Sequence, residues 1–369
     1  ENQMNDYFIE KIEIKENKHI QKLDIPLSKD TRKHLIFTGK NGSGKTTILN
    51  AINKLFNNLI IENMLEIQDL TITINNNQDI FDFKKLPFIV AYFESKRENI
   101  PTVSTSIKNI QLNTNNTTDT RELHRQFIEY MVKKRTDMLN DKFDGDGKKA
   151  TEIGKWFTNF ENTLKVLFNE ENLKLKYYSE ELNFKIEYQG KSFGLNELSD
   201  GYSSLLAILT ELILRMEAHN IQSYNMQGVV LIDEIETHLH VDLQKKILPF
   251  LVNFFPKIQF IVTTHSPFVL SSLSNAVICD LEKNFITEDL SDYSYDALIE
   301  SYFDSDKYSQ EIKDKLERFE ELSKINKLNE SEQDEYFEFK RYFKSLPTFM
   351  ADELAVKINE ILLNDLNKR

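Results

Sequence analysis

Glycine is scarce in this chain. Only 10 of 369 residues are glycine, against about 26 at the usual ~7% share, so each one marks a place where the backbone needs it. They are Gly39, Gly42, Gly44, Gly145, Gly147, Gly154, Gly190, Gly194, Gly201 and Gly228, and three of them fall within six residues. Cysteine is nearly absent as well. The single Cys279 excludes an intrachain disulfide and a cysteine zinc cluster, and reads as a small buried apolar residue. No run approaches the ~18 apolar residues of a membrane span, and the N-terminus has no basic block followed by an apolar one. A cytoplasmic protein without a membrane partner is therefore expected. Positive charge is also short: 46 Lys and Arg against 59 Asp and Glu give a net charge of −13. Neutralising nucleic-acid phosphates needs a local excess of Lys and Arg, so a local patch or a partner would have to supply it. With 40% hydrophobic and 28% charged residues, the chain is an ordinary globular protein with one large or two modest domains.

What is present is a series of apolar, β-branched runs: Tyr7 to Ile14, His34 to Thr38, Phe88 to Phe93, Val229 to Ile232, Phe260 to Thr263 and Ala276 to Cys279. Several lack strict alternation, as strands covered on both faces do. Helical patterns follow some of them, Lys45 to Asn57 and Val241 to Phe254, which predicts a parallel α/β core. A polar, low-complexity stretch from Thr102 to Thr120 interrupts it. Two helical stretches, Arg121 to Asn140 and Thr151 to Asn172, then flank the turn Asp144-Gly145-Asp146-Gly147 and predict an inserted hairpin. That turn is not an EF-hand, because Phe143 holds the third ligand position from Asp141 and no glutamate closes the loop. Lys174 to Tyr188 alternates like a β-hairpin. After about Asp289 the sequence is charged and helical, with Glu311 to Lys324, Glu330 to Lys344 and Asp352 to Leu366 as candidates. The last carries the stripe Leu354, Ile358, Ile361, Leu362 and Leu366, suited to docking on the protein's own core or on a partner.

Gly39-Lys40-Asn41-Gly42-Ser43-Gly44-Lys45-Thr46 matches the G-x-x-x-x-G-K-[ST] phosphate loop, after an apolar strand and before an apolar-periodic helix. Its backbone N–H groups, from Gly39, Asn41, Gly42, Ser43 and Gly44 on to Thr46 and Thr47, would cradle phosphate at a helix N-terminus. Lys45 would bridge the β- and γ-phosphates and Thr46 would bind Mg²⁺, making ATP and Mg²⁺ the expected cofactors. Val229 to Ile232 ends in Asp233-Glu234, with Asp233 the metal-side carboxylate and Glu234 the group that positions or deprotonates the attacking water. Leu198-Ser199-Asp200-Gly201-Tyr202 precedes a helix from Ser203 to Ala218; by itself it reads as a helix cap through Ser199 or Asp200. Thr263-Thr264-His265-Ser266-Pro267 puts polar side chains at a strand end.

In this order the motifs resemble the ABC-type ATPase head shared by transporters, SMC, Rad50 and RecF proteins, and OLD-like ATPases. The resemblance implies an α/β P-loop fold with a mixed, mostly parallel sheet. It implies a homodimer or higher oligomer in which ATP is sandwiched, with Ser199, Asp200 and Gly201 reaching the partner's nucleotide and His265 acting as the switch histidine. Asp200 departs from the family's glycine and Tyr202 from its glutamine. Where that family places a glutamine loop this chain has Tyr92-Phe93-Glu94-Ser95-Lys96-Arg97; Glu94 is the candidate metal-side contact, an ordinary surface loop the alternative. On this reading residues 1–100 and 173–288 form the two parts of the head, 101–172 the inserted loop and hairpin, and 289–369 a charged helical appendage.

Glu234-Ile235-Glu236-Thr237-His238-Leu239-His240 resembles the loop after the acidic strand in OLD- and RecF-like heads. Its H-x-H has no third ligand for zinc. The insertion is too short for SMC or Rad50 coiled coils, and no Toprim or HNH nuclease constellation is visible; Asp304-Ser305-Asp306 reads as a solvated turn. Ala91-Tyr92-Phe93 with Lys96-Arg97, the signature, the Glu234–His240 segment and the charged C-terminus together resemble the ATPase subunits of Septu-type anti-phage systems, including retron-associated ones. That resemblance implies an HNH-type nuclease effector in trans and, in retron systems, a reverse transcriptase with its RNA–DNA product. The alternatives are a RecF- or SMC-like DNA-repair ATPase, for which Lys133-Lys134-Arg135 and Lys148-Lys149 are the tight basic clusters of the insertion, and a transporter's nucleotide-binding subunit.

Overall fold

The computed structural model describes residues 6–15, 22–62, 66–67, 70–75, 88–96, 101–107, 110, 112, 123–219, 224–291, 310–325 and 328–345. The chain divides into two compact units, Glu1–Tyr293 and Ser294–Arg369. In the first, strands β1 (Ile9–Ile14), β2 (Leu23–Pro26), β4 (Glu66–Ile67) and β5 (Leu70–Ile74) form an antiparallel sheet in the order β2-β1-β5-β4. Six others form the central sheet: β3 (His34–Thr38), β6 (Phe88–Phe93), β10 (Gln227–Ile232), β11 (Ile258–Thr263), β12 (Ala276–Asp280) and β13 (Phe285–Glu288), in the order β13-β12-β3-β11-β10-β6. All its pairings are parallel except β12 with β13. Every residue of β3, β6, β10, β11 and β12 is buried, which is why these segments read as continuous apolar runs.

Helix α1 (Lys45–Glu62) follows β3 and buries Ile48, Leu49, Ile52, Leu55 and Phe56 in one core with Ile9, Ile12 and Ile25 of the antiparallel sheet and Phe37, Val229 and Ile261 of the central one. Two glutamines lock these layers. The Gln259 carboxamide accepts from Ile9 N at 2.7 Å and donates to Ile9 O and Lys33 O at 3.1 and 2.6 Å. Gln227 accepts from Tyr7 N at 2.7 Å. These polar residues start β10 and β11 one or two positions before the apolar runs. Cys279 lies in the same core, where burial pushes its thiol up to about 12, so it is an inert packing residue.

The insertion is a helical hairpin of α2 (Phe127–Phe143) and α3 (Gly147–Phe168), joined to a sheet of β7 (Lys174–Tyr178), β8 (Asn183–Tyr188) and β9 (Lys191–Gly194). The turn between the helices is the expected one: Gly145 is left-handed (φ +86) and Asp146 caps α3 by accepting from Lys149 N. Helix α3 stops at Phe168, short of Asn172, because Asn169 (φ +54) forms a left-handed cap. Helix α2 starts at Phe127 after a 3₁₀ turn over His124–Gln126; residues 121–122 of the expected helix lie outside the described residues. Phe127, Trp156 and Phe160 cluster between the helices, and Phe157 stacks on Phe184 to join α3 to β8.

Helix α4 (Asp200–Ala218) precedes β10, and α5 (Val241–Gln244), α6 (Ile247–Phe254) and α7 (Pro267–Leu270) follow β10 and β11. The pattern from Val241 to Phe254 predicts one helix; it breaks because Pro249 has no N–H for the Lys245 carbonyl. No helix among the described residues is long and apolar enough to cross a membrane. In the second unit, α8 (Gln310–Lys324) and α9 (Glu330–Ser345) pack through Phe319, Leu322, Tyr336 and Phe343, with Arg318 forked onto Glu335 at 3.2 and 3.0 Å. The expected helix from Asp352 to Leu366 and the Asp304–Asp306 turn lie outside the described residues.

His34, at 3% exposure, accepts the Phe260 N–H on Nδ1 at 3.0 Å. Burial, reinforced by the Arg32 charge, lowers its pKa from 6.5 to about 4. The folded state thus refuses a proton that the unfolded chain accepts, and its stability falls as pH drops from 6.5 toward 4. Over that window the imidazole alone removes about 3 kcal/mol. Urea midpoints between pH 7 and pH 4.5 should fall more steeply for the wild type than for His34→Asn; parallel slopes would contradict this.

Candidate active site

The phosphate loop spans the turn between β3 and α1. Gly39 has φ +129, and a Cβ there would sit 2.9 Å from Ser43 Oγ, so only glycine closes the loop. Gly42 and Gly44 are also left-handed, and Ile48 N donates to Gly44 O at 2.9 Å as the helix begins. Lys45 folds back over the loop, its Nζ donating to Gly39 O at 2.7 Å and Lys40 O at 3.1 Å. Burial lowers its pKa, while the charges of Glu234, Asp233, Glu236 and Asp280 oppose that shift. Ser43 Oγ is buried without a partner, whereas Asn41, Thr46 and Thr47 are exposed.

Parallel pairing aligns the strand ends beside this loop. Ile232 stands opposite Phe93 of β6 and Val262 of β11, which brings Asp233, Glu94 and Thr263 to one edge of the sheet. Asp233 is 3% exposed; its N–H donates to Phe93 O at 2.8 Å. Its Oδ2 accepts from the Thr46 hydroxyl at 2.8 Å, and its Oδ1 from the Thr263 hydroxyl at 2.6 Å. The same Thr263 Oγ1 accepts the Glu234 N–H at 2.7 Å, and Glu234 takes the left-handed φ of +45. That conformation turns the chain so that successive carboxylates leave in different directions. Thr264 N bonds to Phe37 O at 3.0 Å, and His265 N to Glu236 Oε1 at 2.6 Å. His265 Nε2 and Glu236 Oε2 are buried and unpartnered. Glu94 is exposed just past β6.

The segment from residue 188 to 271, which carries the signature, Asp233-Glu234 and His265, matches the family described as "AAA domain, putative AbiEii toxin, Type IV TA system". The chain is 30% identical over 308 residues to "Septu protein PtuA" of Bacillus mycoides (strain KBAB4), covering 75% of this chain and 41% of that protein. It is 38% identical over 107 residues to "Retron Ec83 probable ATPase" of Escherichia coli, covering 28% of this chain and 19% of that one. The phosphate loop and the mostly parallel central sheet make this an α/β fold of P-loop type. The chain spans less than half the length of either relative. Among solved structures, the SMC head domain from Thermotoga maritima aligns with a TM-score of 0.40 at 15% identity, over 74% of this chain and 94% of that one.

Leu198-Ser199-Asp200-Gly201-Tyr202 stands at the N-terminus of α4. Ser199 and Asp200 are exposed, and Gly201 is buried. The Ser199 hydroxyl makes no capping hydrogen bond; the Ser199 carbonyl receives Ser203 N at 2.9 Å. Gly201 abuts the loop after the acidic strand, where a Cβ would meet His238 O at 2.9 Å. Tyr202 stacks on Phe168, the last residue of α3, with ring centroids 4.3 Å apart. Deeper along α4, the fully buried Glu211 accepts from His124 N at 3.0 Å and Arg215 Nε at 3.0 Å, and Arg215 Nη1 reaches Val90 O of β6.

The basic cluster of the insertion is engaged internally. Lys133 pairs with Asp137, Lys134 with Glu217 at 3.1 Å and the Tyr130 and Trp156 rings, and Arg135 lies 4.1 Å from the Tyr177 ring centroid. No group of three His, Cys, Asp or Glu side chains that could hold a metal occurs among the described residues.

Thr263 is the residue that motif reading passes over. Its signal in the sequence was a lone hydroxyl at the end of an apolar strand. Thr263→Val removes the hydroxyl that donates to Asp233 and accepts the Glu234 N–H, and should lower ATP turnover about 10-fold or more, whereas Thr263→Ser should stay within about 3-fold of wild type. Steady-state phosphate release checks both.

Proposed function

We propose that this chain binds ATP with Mg²⁺ and hydrolyses it as the ATPase subunit of an anti-phage defence complex. The observation that carries the nucleotide reading is the meeting of Thr46, Asp233, Thr263 and Glu234 at adjoining strand ends beside a glycine loop closed by Lys45. The loop N–H groups of Gly42, Ser43, Gly44, Lys45, Thr46 and Thr47, with the Lys45 ammonium, suit the β- and γ-phosphates. A hydroxyl and a carboxylate oxygen 2.8 Å apart fit Mg²⁺, which takes hard oxygen ligands together with substrate phosphates and water. Bound there, the ion would neutralise charge on the phosphoryl oxygens. Glu94, at the same sheet edge, is the further metal-side candidate.

Glu234 is the group to take a proton from the attacking water, and Thr263 holds its backbone for that role. His265 would present its unpartnered Nε2 to the γ-phosphate. Ser199, Asp200 and Gly201 would reach the nucleotide of a second head. ATP then becomes the adhesive of a homodimer or larger assembly, and the Asp200 carboxylate makes that contact weaker than a glycine would.

The defence role is supported by the relatives named for Septu and for a retron. In such a complex the nuclease, of HNH type, acts in trans, joined in a retron system by a reverse transcriptase and its RNA–DNA product. A net charge of −13 and an internally paired basic cluster favour contact with nucleic acid through those partners.

Lys45→Ala should abolish nucleotide binding by calorimetry. Glu234→Gln should bind ATP, turn it over about 100-fold more slowly, and accumulate as ATP-bridged dimers in size-exclusion chromatography with light scattering. Wild-type turnover by Glu234→Gln would remove it from the base role. Purification from the native operon should bring down a nuclease; a protein recovered alone would count against the defence assignment.

A further inference from the structure

Glu236 is a carboxylate that the roles above leave unused. It lies two residues past Glu234, in the loop that Ile235 anchors by its buried side chain and by its N–H on Thr263 O at 3.1 Å. One of its oxygens receives the His265 N–H at 2.6 Å; the other is buried with no partner. Its charge is among those acting on the Lys45 ammonium, so it stands close to the phosphate loop. Burying a half-satisfied carboxylate is costly, and packing alone would be served as well by an apolar residue. A charge-assisted hydrogen bond is shorter and stronger than a neutral one, and this one falls on the main chain of the residue whose imidazole Nε2 is itself buried and unpartnered.

We infer that Glu236 is a positioning residue for hydrolysis: it clamps the backbone at His265 so that the imidazole is presented to the γ-phosphate, and it makes the acidic-strand loop and the histidine segment move as one piece. The inference rests on the nucleotide reading above. A second link supports the coupling, since Gln244 accepts the Ser266 hydroxyl at 2.6 Å and donates to Leu239 O at 2.7 Å. The two segments are thus tied at His265 itself and again at Ser266.

The test uses Glu236→Ala, Glu236→Gln and Glu236→Ala combined with His265→Ala, read by amide hydrogen exchange and by ATP turnover. In Glu236→Ala the His265 amide should exchange about 10-fold faster or more, kcat should drop about 10-fold, and affinity for ATP should stay within about 2-fold. Glu236→Gln keeps an acceptor oxygen for His265 N–H and should remain within about 3-fold of wild type in both readouts. The double variant should be no slower than His265→Ala alone, because both changes remove one device. Unchanged protection at His265 in Glu236→Ala, additive losses in the double variant, or a Glu236→Gln as impaired as Glu236→Ala would each overturn the inference. A wild-type protein that turns over no ATP would sink the nucleotide reading instead, and the exchange measurement would still decide whether Glu236 holds His265.

Discussion

A carboxylate at the end of a hydrophobic strand can be buried only if its oxygens are met by donors. Asp233 meets this condition through Thr46 and Thr263, and its own amide is fixed by Phe93 O. The three partners come from α1, β11 and β6, so the carboxylate sits where a helix and two neighbouring strands must all be in place. A shift of one residue in the pairing of β10 would turn Ile232 to the edge and send the side chains to opposite faces. The register of the central sheet and the assembly of the site are therefore the same structural fact.

The second layer of order is polar as well. The glutamines at the starts of β10 and β11 carry hydrogen bonds from the antiparallel sheet into the central one, so the layers on either side of α1 are bonded to each other as well as packed. The insertion is attached in a similar manner. Glu211 receives the 3₁₀ turn that precedes α2, while Arg215 beside it holds the Val90 carbonyl of β6. A strand that ends at the site and the entry to the inserted hairpin thus share one buried ion pair.

The phosphate loop, the acidic strand and the parallel core were legible because each is a local pattern: a run of apolar residues, a glycine spacing, a helix period. The family resemblance extended that reading to the signature and to His265. The contacts of Thr263 and Glu236 were not legible, since their partners lie about thirty residues away and are brought close only by strand pairing. The break before α6 was written in Pro249 but masked by a good hydrophobic period. The short strands β9 and β13 lack the length that makes alternation visible. At Ser199 the backbone takes the extended conformation usual at a helix start, but its hydroxyl makes no capping hydrogen bond.

With no side chain on Gly201, its backbone and the His238 carbonyl share a space that a methyl group would overfill, so this close approach is open to glycine alone. The stack of Tyr202 on Phe168 is adhesive, and it resists separation and sliding. The first turn of α4 is thus held between a backbone that leaves no room for a side chain and a ring stack that ties it to the inserted hairpin.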